Sequence, residues 1–276
     1  LVTSMRASFF VAGPILARTG YAKVPLPGGC AIGTRPLDIH LKGFKAMGVD
    51  VSIEHGFVQM MTDHLKGNRI YLDFPSVGAT ENIMMAATLA DGQTIIENVA
   101  QEPEIIDLAN FLNTAGADIQ GAGGSTIVVN GKSELNGKDF DIIPDRVEVG
   151  TLMIAAAITN GDVFIEGAVA DHIEPLIRKL KESGVIVDVS EKGIRVKGTG
   201  VIQSVDIETM PFPGFPTDMQ AQFMSLLCVA SGVGIVTETI FENRFMHVNE
   251  LSRMGANIRV DQRQAIVQGV DQLCGA

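Results

Sequence analysis

A fourfold internal repeat is the feature that most constrains the fold of this chain. Four similar segments, MGVDVSI, AGADIQG, SGVIVDV and MGANIRV, place a glycine at positions 48, 116, 184 and 255, in steps of 68, 68 and 71 residues. A second series of glycines precedes them at positions 20, 92, 161 and 232, in steps of 72, 69 and 71 residues. Two series that stay in phase over four copies predict a chain of related structural units.

Each copy predicts the same order of secondary structure. An apolar helix, such as ENIMMAATLADG, ends at the first glycine, and a β-branched strand, such as Gln93–Asn98, follows it. A second helix, HIEPLIRKLKESG, has apolar residues on one face at Ile173, Leu176, Ile177 and Leu180, and two strands follow. The order helix–strand–helix–strand–strand indicates an α/β protein of repeated modules. A globular assembly is favoured over a solenoid, because units of this length are long for a solenoid.

Composition excludes several classes of function. The 276 residues are 46% apolar, with a net charge of −11, no tryptophan and two tyrosines, which argues against a nucleic-acid or anionic-membrane binder. Three cysteines without CxxC spacing indicate a reducing, cytoplasmic location, and the histidines lack ligand spacing, so we expect no metal or other cofactor. No apolar run reaches membrane-span length. The chain has no initiator methionine, and we expect it to be a fragment.

One loop departs from the repeat. The first copy has 28 residues between its two glycines, whereas the others have 24, 23 and 23, and the surplus falls in PLPGGCAIGTRP, which holds Cys30 and Arg35. An insertion in one copy of a shared scaffold points to function, although an incidental surface cysteine is the alternative. Arginine and glycine N–H groups favour the thiolate, so Cys30 could act as a nucleophile or as a general acid.

Two further segments could bind anions. Arg6 opens an apolar helix, where a cation is unfavourable against the helix dipole unless an anion binds there as well. The turn SVGATEN, from Ser76, leads into another helix, whose free N–H groups can bind phosphate. Capping by Ser76 or Thr80 is an equally good interpretation.

A carboxylate begins the fourth apolar helix. Asp218 in PTDMQAQ could be an N-cap or a general base, and its counterpart Asp145 in PDRVEVG favours capping for both. His40 follows Asp38 at the exit of the cysteine loop and could contact a substrate.

The segments PGGCAIGTRPLDIH, SVGATEN, FPTDMQAQ and ENRFMHVNELSRMGA together resemble the UDP-N-acetylglucosamine 1-carboxyvinyltransferases, a family of enolpyruvyl transferases. The resemblance covers essentially the whole chain. It implies an inside-out α/β barrel in which six modules form two similar domains, with about four modules present here. Residues 1–143 would belong to the catalytic-loop domain and residues 144–276 to the second domain.

The resemblance also implies a reaction. Enolpyruvate would pass from phosphoenolpyruvate to the 3′-hydroxyl of UDP-N-acetylglucosamine with release of phosphate, at the start of peptidoglycan synthesis. It assigns Cys30 as the acid, which can also form a covalent adduct with phosphoenolpyruvate and is the target of fosfomycin, and it assigns Asp218 as the base. Arg35 and Arg6 would hold phosphate groups. The other implied substrate contacts are Pro36, Asp38, Ile39 and His40, with Asp38 and His40 at the uridine end, Ser76, Val77 and Gly78 at the diphosphate, and Ile240 and Arg244 in the second domain.

Two alternatives remain beside this interpretation. The sibling 3-phosphoshikimate 1-carboxyvinyltransferase shares the fold and phosphoenolpyruvate but lacks the cysteine loop. An inactive repeat protein that binds nucleotide sugars or protein partners is the other, and the presence of Cys30, Arg35 and Asp218 disfavours it.

Overall fold

The structure is a computed structural model that describes residues 6–26 and 37–275, with the Arg6 side chain not described. These residues form two compact units, one within residues 6–143 and one within residues 144–275. Each unit has its own core of buried apolar side chains. Both units mix helices with strands, which confirms the predicted α/β class.

The first unit contains two sheets, and each sheet is built from one stretch of the chain. A 3-10 helix, Arg6–Val11, precedes the first α-helix. The elements are α1 (Ala12–Thr19), β1 (Tyr21–Pro25), α2 (Asp38–Ala46), β2 (Asp50–Glu54), β3 (Phe57–Met61), β4 (Arg69–Tyr71), α3 (Val77–Ala87), β5 (Gln93–Glu97), α4 (Pro103–Thr114), β6 (Asp118–Gln120) and β7 (Thr126–Asn130). The strand orders are β1-β3-β2 and β4-β5-β7-β6, and only the pairing of β4 with β5 is parallel.

The second unit has the same plan. The 3-10 helix Ala170–His172 precedes α6 (Glu174–Glu182), and the 3-10 helix Thr217–Met219 precedes α7 (Gln220–Leu227). The elements are α5 (Arg146–Ile158), β8 (Asp162–Glu166), α6 (Glu174–Glu182), β9 (Ile186–Ser190), β10 (Gly193–Lys197), β11 (Ile207–Glu208), α7 (Gln220–Leu227), β12 (Val233–Thr237), α8 (Val248–Arg253), β13 (Asn257–Asp261) and β14 (Gln264–Gln268). The strand orders are β8-β10-β9 and β11-β12-β14-β13, and only β11 and β12 are parallel.

Sequence periodicity accounts for the packing of these elements. The four apolar residues of the amphipathic face, Ile173, Leu176, Ile177 and Leu180, are all buried, which confirms the predicted face of α6. In β5 the alternate residues Thr94 and Ile96 are buried, because successive strand side chains point to opposite faces of the sheet.

The repeated glycines occupy left-handed backbone positions. Gly48, Gly116, Gly184 and Gly255 follow the second helix of each copy with φ between 85° and 105°. Glycine adopts this conformation without the steric cost that a Cβ atom brings, which explains why a glycine recurs at this position in each copy. In the third copy, the left-handed residue at the end of the first helix is Asn160 (φ 54°), one residue before the repeated glycine Gly161.

Two features differ from the sequence prediction. The segment MRASFFVAGPILARTG was predicted as one helix, but it contains a 3-10 helix before α1 begins at Ala12. Pro14 has no amide hydrogen, so it cannot donate the α-helical bond to residue 10 and is tolerated only in a first turn. The short parallel strands β4 and β11 were not predicted, because two or three residues carry no detectable periodicity.

Within residues 6–26 and 37–275, no helix is both long enough and apolar enough to span a membrane.

Candidate functional site

Part of the predicted site falls on residues that the structure does not describe. Cys30, Arg35 and Pro36 lie outside the described residues, and so does the side chain of Arg6, whose backbone begins the first 3-10 helix. Their roles therefore stay predictions from the sequence. The remaining predicted residues form two groups, one in each unit.

In the first unit, Ser76 is the N-cap of α3. Its hydroxyl accepts a hydrogen bond from the backbone N–H of Ala79 at 3.3 Å, and the Thr80 hydroxyl donates to the Ser76 carbonyl at 2.8 Å. The capping interpretation of Ser76 is therefore confirmed. Capping does not use the first N–H groups of the helix, those of Val77 and Gly78, which point towards the helix N-terminus and can still bind an anion.

His40 lies against the same helix end. Its side chain is only 1% exposed, its Nδ1 atom is 3.3 Å from Nδ2 of Asn82, and the ring of Phe9 packs edge-on against the imidazole. A Cβ atom at Gly78 would lie 3.5 Å from Cε1 of His40 and only 2.6 Å from the Phe10 ring, so a larger residue there would force the Phe10 ring to shift. The structure thus brings His40 and Gly78 together.

Asn82 holds this group together. Its Oδ1 atom accepts from the Gly13 N–H at 2.8 Å, and its Nδ2 atom donates to the Phe9 carbonyl at 3.1 Å. The side chain is completely buried. Asp38 and Ile39 precede His40 in the first turn of α2, where Asp38 is exposed and Ile39 is half-buried. A carboxylate in this first turn is favourable with the helix dipole.

In the second unit, Asp218 and Arg244 form an ion pair. The guanidinium Nη2 atom lies 2.5 Å from Oδ1 of Asp218, and the Arg244 Cζ atom lies 5.3 Å from the centre of the Phe241 ring. The Arg244 side chain is 18% exposed, whereas that of Asp218 is 51% exposed. Among the described residues, the buried Nη1 atom of Arg244 has no hydrogen-bond partner. A buried N–H donor without a partner is costly, so an oxygen of a bound molecule would be favoured beside it.

The sequence favoured an N-cap role for both Asp145 and Asp218, and the structure shows that role for Asp145 only. Asp145 is the N-cap of α5 and accepts from the N–H groups of Val147 at 2.7 Å and Glu148 at 3.3 Å. Asp218 lies inside the 3-10 helix that precedes α7, and no side-chain capping bond occurs at the start of either helix. Capping is therefore the wrong interpretation for Asp218, because the 3-10 turn moves the start of α7 to Gln220 and turns the carboxylate to Arg244.

Sequence reasoning missed Glu238, which links the surroundings of Asp218 to those of Arg244. Glu238 follows β12 directly and is 0% exposed. Its carboxylate accepts from the Thr217 hydroxyl and from the backbone N–H of half-buried Ile240, both at 2.9 Å. The sequence offers little signal for this role, because Glu97 and Glu166 end the equivalent strands of other copies and are not buried.

A second carboxylate that sequence reasoning missed is Glu81 in α3. Burial and the negative charges of Glu104 and Glu102 act in the same direction and together raise the pKa of Glu81 to about 7. Glu81 therefore exchanges a proton near neutral pH, beside the helix end that holds Ser76 and Gly78.

Cys228, Cys274 and His247 lie outside the two groups of predicted site residues. Cys228 is buried, and burial raises the pKa of its thiol to about 11, which makes it unreactive at neutral pH. Cys274 is exposed. The Nε2 atom of His247 lies 3.3 Å from the Met224 sulfur. Burial lowers the pKa of His247, and a hydrogen bond with the backbone of Arg244 opposes this only in part.

The part of the chain that the structure describes holds no group of three or more His, Cys, Asp or Glu side chains that could bind a metal ion. In this part of the chain, the groups that can bind or react with a ligand are therefore the free N–H groups at the N-terminus of α3 and the half-exposed Asp218 carboxylate beside the Arg244 guanidinium.

Comparison with known proteins relates these features to one family. UDP-N-acetylglucosamine 1-carboxyvinyltransferase 1 of Caldanaerobacter subterraneus subsp. tengcongensis is 59% identical over 276 residues, which are all of this chain and 66% of the relative. UDP-N-acetylglucosamine 1-carboxyvinyltransferase 2 of Carboxydothermus hydrogenoformans is 57% identical over 277 residues, again 66% of its length. The chain thus spans just under two thirds of the length of these curated relatives.

Structural comparison agrees on the fold. The enolpyruvyl transferase NikO from Streptomyces tendae aligns with a TM-score of 0.83 at 23% identity, over 96% of this chain and 63% of NikO. The family model for EPSP synthase (3-phosphoshikimate 1-carboxyvinyltransferase) matches residues 1–276. A match over the full length of the chain means that the chain belongs to the EPSP synthase family of enolpyruvyl transferases.

Proposed function

We propose that this chain is part of a UDP-N-acetylglucosamine 1-carboxyvinyltransferase. The observation that carries the proposal is the shared name of relatives that are 57–59% identical over the whole chain. The related 3-phosphoshikimate reaction has weaker support, because the cysteine loop PGGCAIGTRP distinguishes the two by resemblance. The protein would act in the bacterial cytoplasm, in peptidoglycan synthesis.

The proposed reaction is an addition followed by an elimination. Asp218 accepts the proton of the sugar 3′-hydroxyl while the hydroxyl oxygen bonds to C2 of phosphoenolpyruvate, and Cys30 donates a proton to C3. The tetrahedral intermediate then loses a proton from C3, the double bond re-forms, and the C2–O bond to phosphate breaks. The half exposure of Asp218 supports its role, because a substrate hydroxyl can reach the carboxylate.

Binding roles follow the same proposal. Arg35 and Arg6 hold phosphate groups, and Ser76, Val77 and Gly78 offer the N-terminus of α3 to the diphosphate. The other proposed contacts are Pro36, Asp38, Ile39, His40, Ile240 and Arg244. Because His40 is buried, its contribution is to shape the wall beside Gly78.

The proposal extends to architecture. The two units, residues 1–143 and 144–276, would be parts of two similar domains in an inside-out α/β barrel of six modules, of which about four are present. Support comes from the repeated element order and from the fold shared with NikO.

Phosphate release from phosphoenolpyruvate tests the function. Protein expressed from the complete open reading frame is assayed with UDP-N-acetylglucosamine and, separately, with shikimate 3-phosphate. We expect release with the nucleotide sugar only and loss of release in Cys30→Ala. The matched control is Cys274→Ala, which removes an exposed thiol elsewhere and should leave the rate unchanged. Release with shikimate 3-phosphate alone would contradict the proposal.

A further inference from the structure

Glu238 is a fully buried carboxylate that accepts hydrogen bonds at both oxygens. Oε1 accepts from three donors and Oε2 from two. The donors are the Thr209 hydroxyl at 2.9 Å, the backbone N–H groups of Ile240 at 2.9 Å and Phe241 at 3.1 Å, the Thr217 hydroxyl at 2.9 Å and the Gln220 amide at 3.5 Å.

These donors belong to the two segments that carry the ion pair. Thr217 and Gln220 flank Asp218 in the chain, whereas Ile240 and Phe241 precede Arg244 by four and three residues. The bonds at Oε2 therefore hold the Asp218 segment, and the backbone bonds at Oε1 hold the Arg244 segment. One side chain spans both.

A buried carboxylate is retained only when its hydrogen bonds are satisfied, because the cost of removing it from water is large. Here the donors are directional and come from separate segments, so both segments must keep their positions for all the bonds to form. Among the described residues Asp218 makes no capping bond at either helix start, so the placement of its carboxylate depends on the position of its segment relative to Arg244.

We propose that Glu238 is a positioning residue that holds Asp218 and Arg244 in register, so that the Asp218 carboxylate faces the acceptor hydroxyl. This inference rests on the proposed function for the identity of the hydroxyl. It predicts that loss of the Glu238 carboxylate lowers kcat by more than the accompanying loss of stability explains. The reason is that displacement of a reacting group by about 1 Å can lower a rate by about a hundredfold.

Two variants test the inference in the protein expressed from the complete open reading frame. Glu238→Gln keeps the shape but places an NH2 group where an acceptor is needed. Thr217→Val is nearly isosteric and removes only the hydroxyl donor, so it serves where Glu238→Gln fails to fold. We expect Glu238→Gln to lower kcat by about tenfold to hundredfold, with a KM for phosphoenolpyruvate within about threefold of wild type. Thr217→Val should lower kcat in the same direction, and the double variant should lose less than the product of the two.

Two controls separate positioning from stability. Val236→Ala removes two methyl groups from the core on the same strand and should lower the melting temperature while kcat stays within about twofold. Asp206→Asn alters an exposed carboxylate that accepts a hydrogen bond from the Ile235 N–H at 2.8 Å in the same sheet. This variant should change neither kcat nor the melting temperature. Equal loss of kcat in Val236→Ala and Glu238→Gln at matched melting temperature would overturn the inference.

Hydrogen exchange supplies a readout that does not depend on activity. In Glu238→Gln without substrate, peptides covering residues 212–220 and 239–245 should exchange faster than in wild type and faster than in Val236→Ala. Wild-type exchange in both segments, or kcat within twofold of wild type, would overturn the positioning role. If wild-type protein releases no phosphate with UDP-N-acetylglucosamine, the proposed function fails, and the exchange comparison then decides the positioning role by itself.

Discussion

The Arg244 guanidinium donates from Nη2 to Oδ1 of Asp218 at 2.5 Å, and the two partners differ in their contact with solvent. The arginine is mostly buried over the Phe241 ring, whereas about half of the aspartate side chain is exposed. Such a pair holds a carboxylate in a fixed direction while leaving it accessible. The exposed part of the carboxylate is open to a bound molecule, as the proposed role of Asp218 as a base requires.

Asp218→Asn should therefore separate activity from stability. We expect kcat for phosphate release to fall by about 10²-fold to 10⁴-fold, because an amide cannot accept the proton. The free energy of unfolding should change by no more than about 1 kcal/mol, since the asparagine Oδ1 atom can still accept the bond from Arg244 and the Asp218 side chain is half exposed. Steady-state kinetics and urea unfolding of the same preparations measure both quantities.

The control for this prediction is Asp162→Asn. Asp162 accepts two hydrogen bonds from Arg195, at 2.7 Å each, on the exposed side of β8 and β10. The Asp162→Asn variant should leave kcat unchanged. Turnover within twofold of wild type in Asp218→Asn would contradict the assignment of the base.

Fosfomycin should alkylate Cys30. The expected result is a mass increase equal to one fosfomycin on the peptide that contains Cys30, after incubation with UDP-N-acetylglucosamine. Cys228 should stay unmodified, because its buried thiol has a raised pKa of about 11 and little thiolate at neutral pH. Intact and peptide mass spectrometry of wild type and Cys30→Ala give the comparison. A modified Cys274 with an unmodified Cys30 would count against the assignment.

Glu81 should make stability depend on pH. Its pKa rises from 4.5 to about 7 in the folded state, so the folded protein holds the proton more tightly than the unfolded chain. The resulting stabilisation is present below about pH 4.5 and is lost as pH rises through about 7. Relative to wild type, Glu81→Gln should raise the free energy of unfolding by about 1–3 kcal/mol at about pH 8, with a smaller gain as the pH falls.

Urea unfolding at several pH values measures this difference. Glu54→Gln is the matched control, because Glu54 is an exposed glutamate in the same unit. It should retain the pH dependence of wild type. The prediction for Glu81 is wrong if Glu81→Gln also shows the same slope of stability against pH as wild type.

Asn82→Leu should destabilise the first unit. The substitution leaves the Gly13 N–H and the Phe9 carbonyl, both now bonded to Asn82, without that partner in a buried region. Each buried group that loses its bond costs about 1–3 kcal/mol, so we expect a loss of about 2–4 kcal/mol. Thermal and urea unfolding measure it.

The comparison for Asn82→Leu is Gln93→Leu, which breaks a bond of 2.9 Å to Asn130 on an exposed sheet face. That change should cost less than about 1 kcal/mol, because water replaces the lost partner. A loss of similar size in the two variants would show that burial of the Asn82 bonds is unimportant.

Much of the secondary structure could be predicted, because its signals are local. The face of α6 follows from apolar spacing at Ile173, Leu176, Ile177 and Leu180, and β8 follows from the strand pattern DVFIE. The glycine landmarks follow from left-handed backbone at helix ends. Each of these signals depends on residues within one or two turns of one another.

The sequence by itself determined the repeat, the α/β class and the family motifs, including the loop of Cys30, whereas the tertiary structure decided which side chains meet. Asp145 and Asp218 occupy equivalent positions in two copies, yet one caps a helix and the other pairs with Arg244, 26 residues away in the chain. Glu238 likewise accepts a hydrogen bond from Thr209, 29 residues before it. These contacts join separate segments across the folded unit, and only packing of the core determines which segments become neighbours.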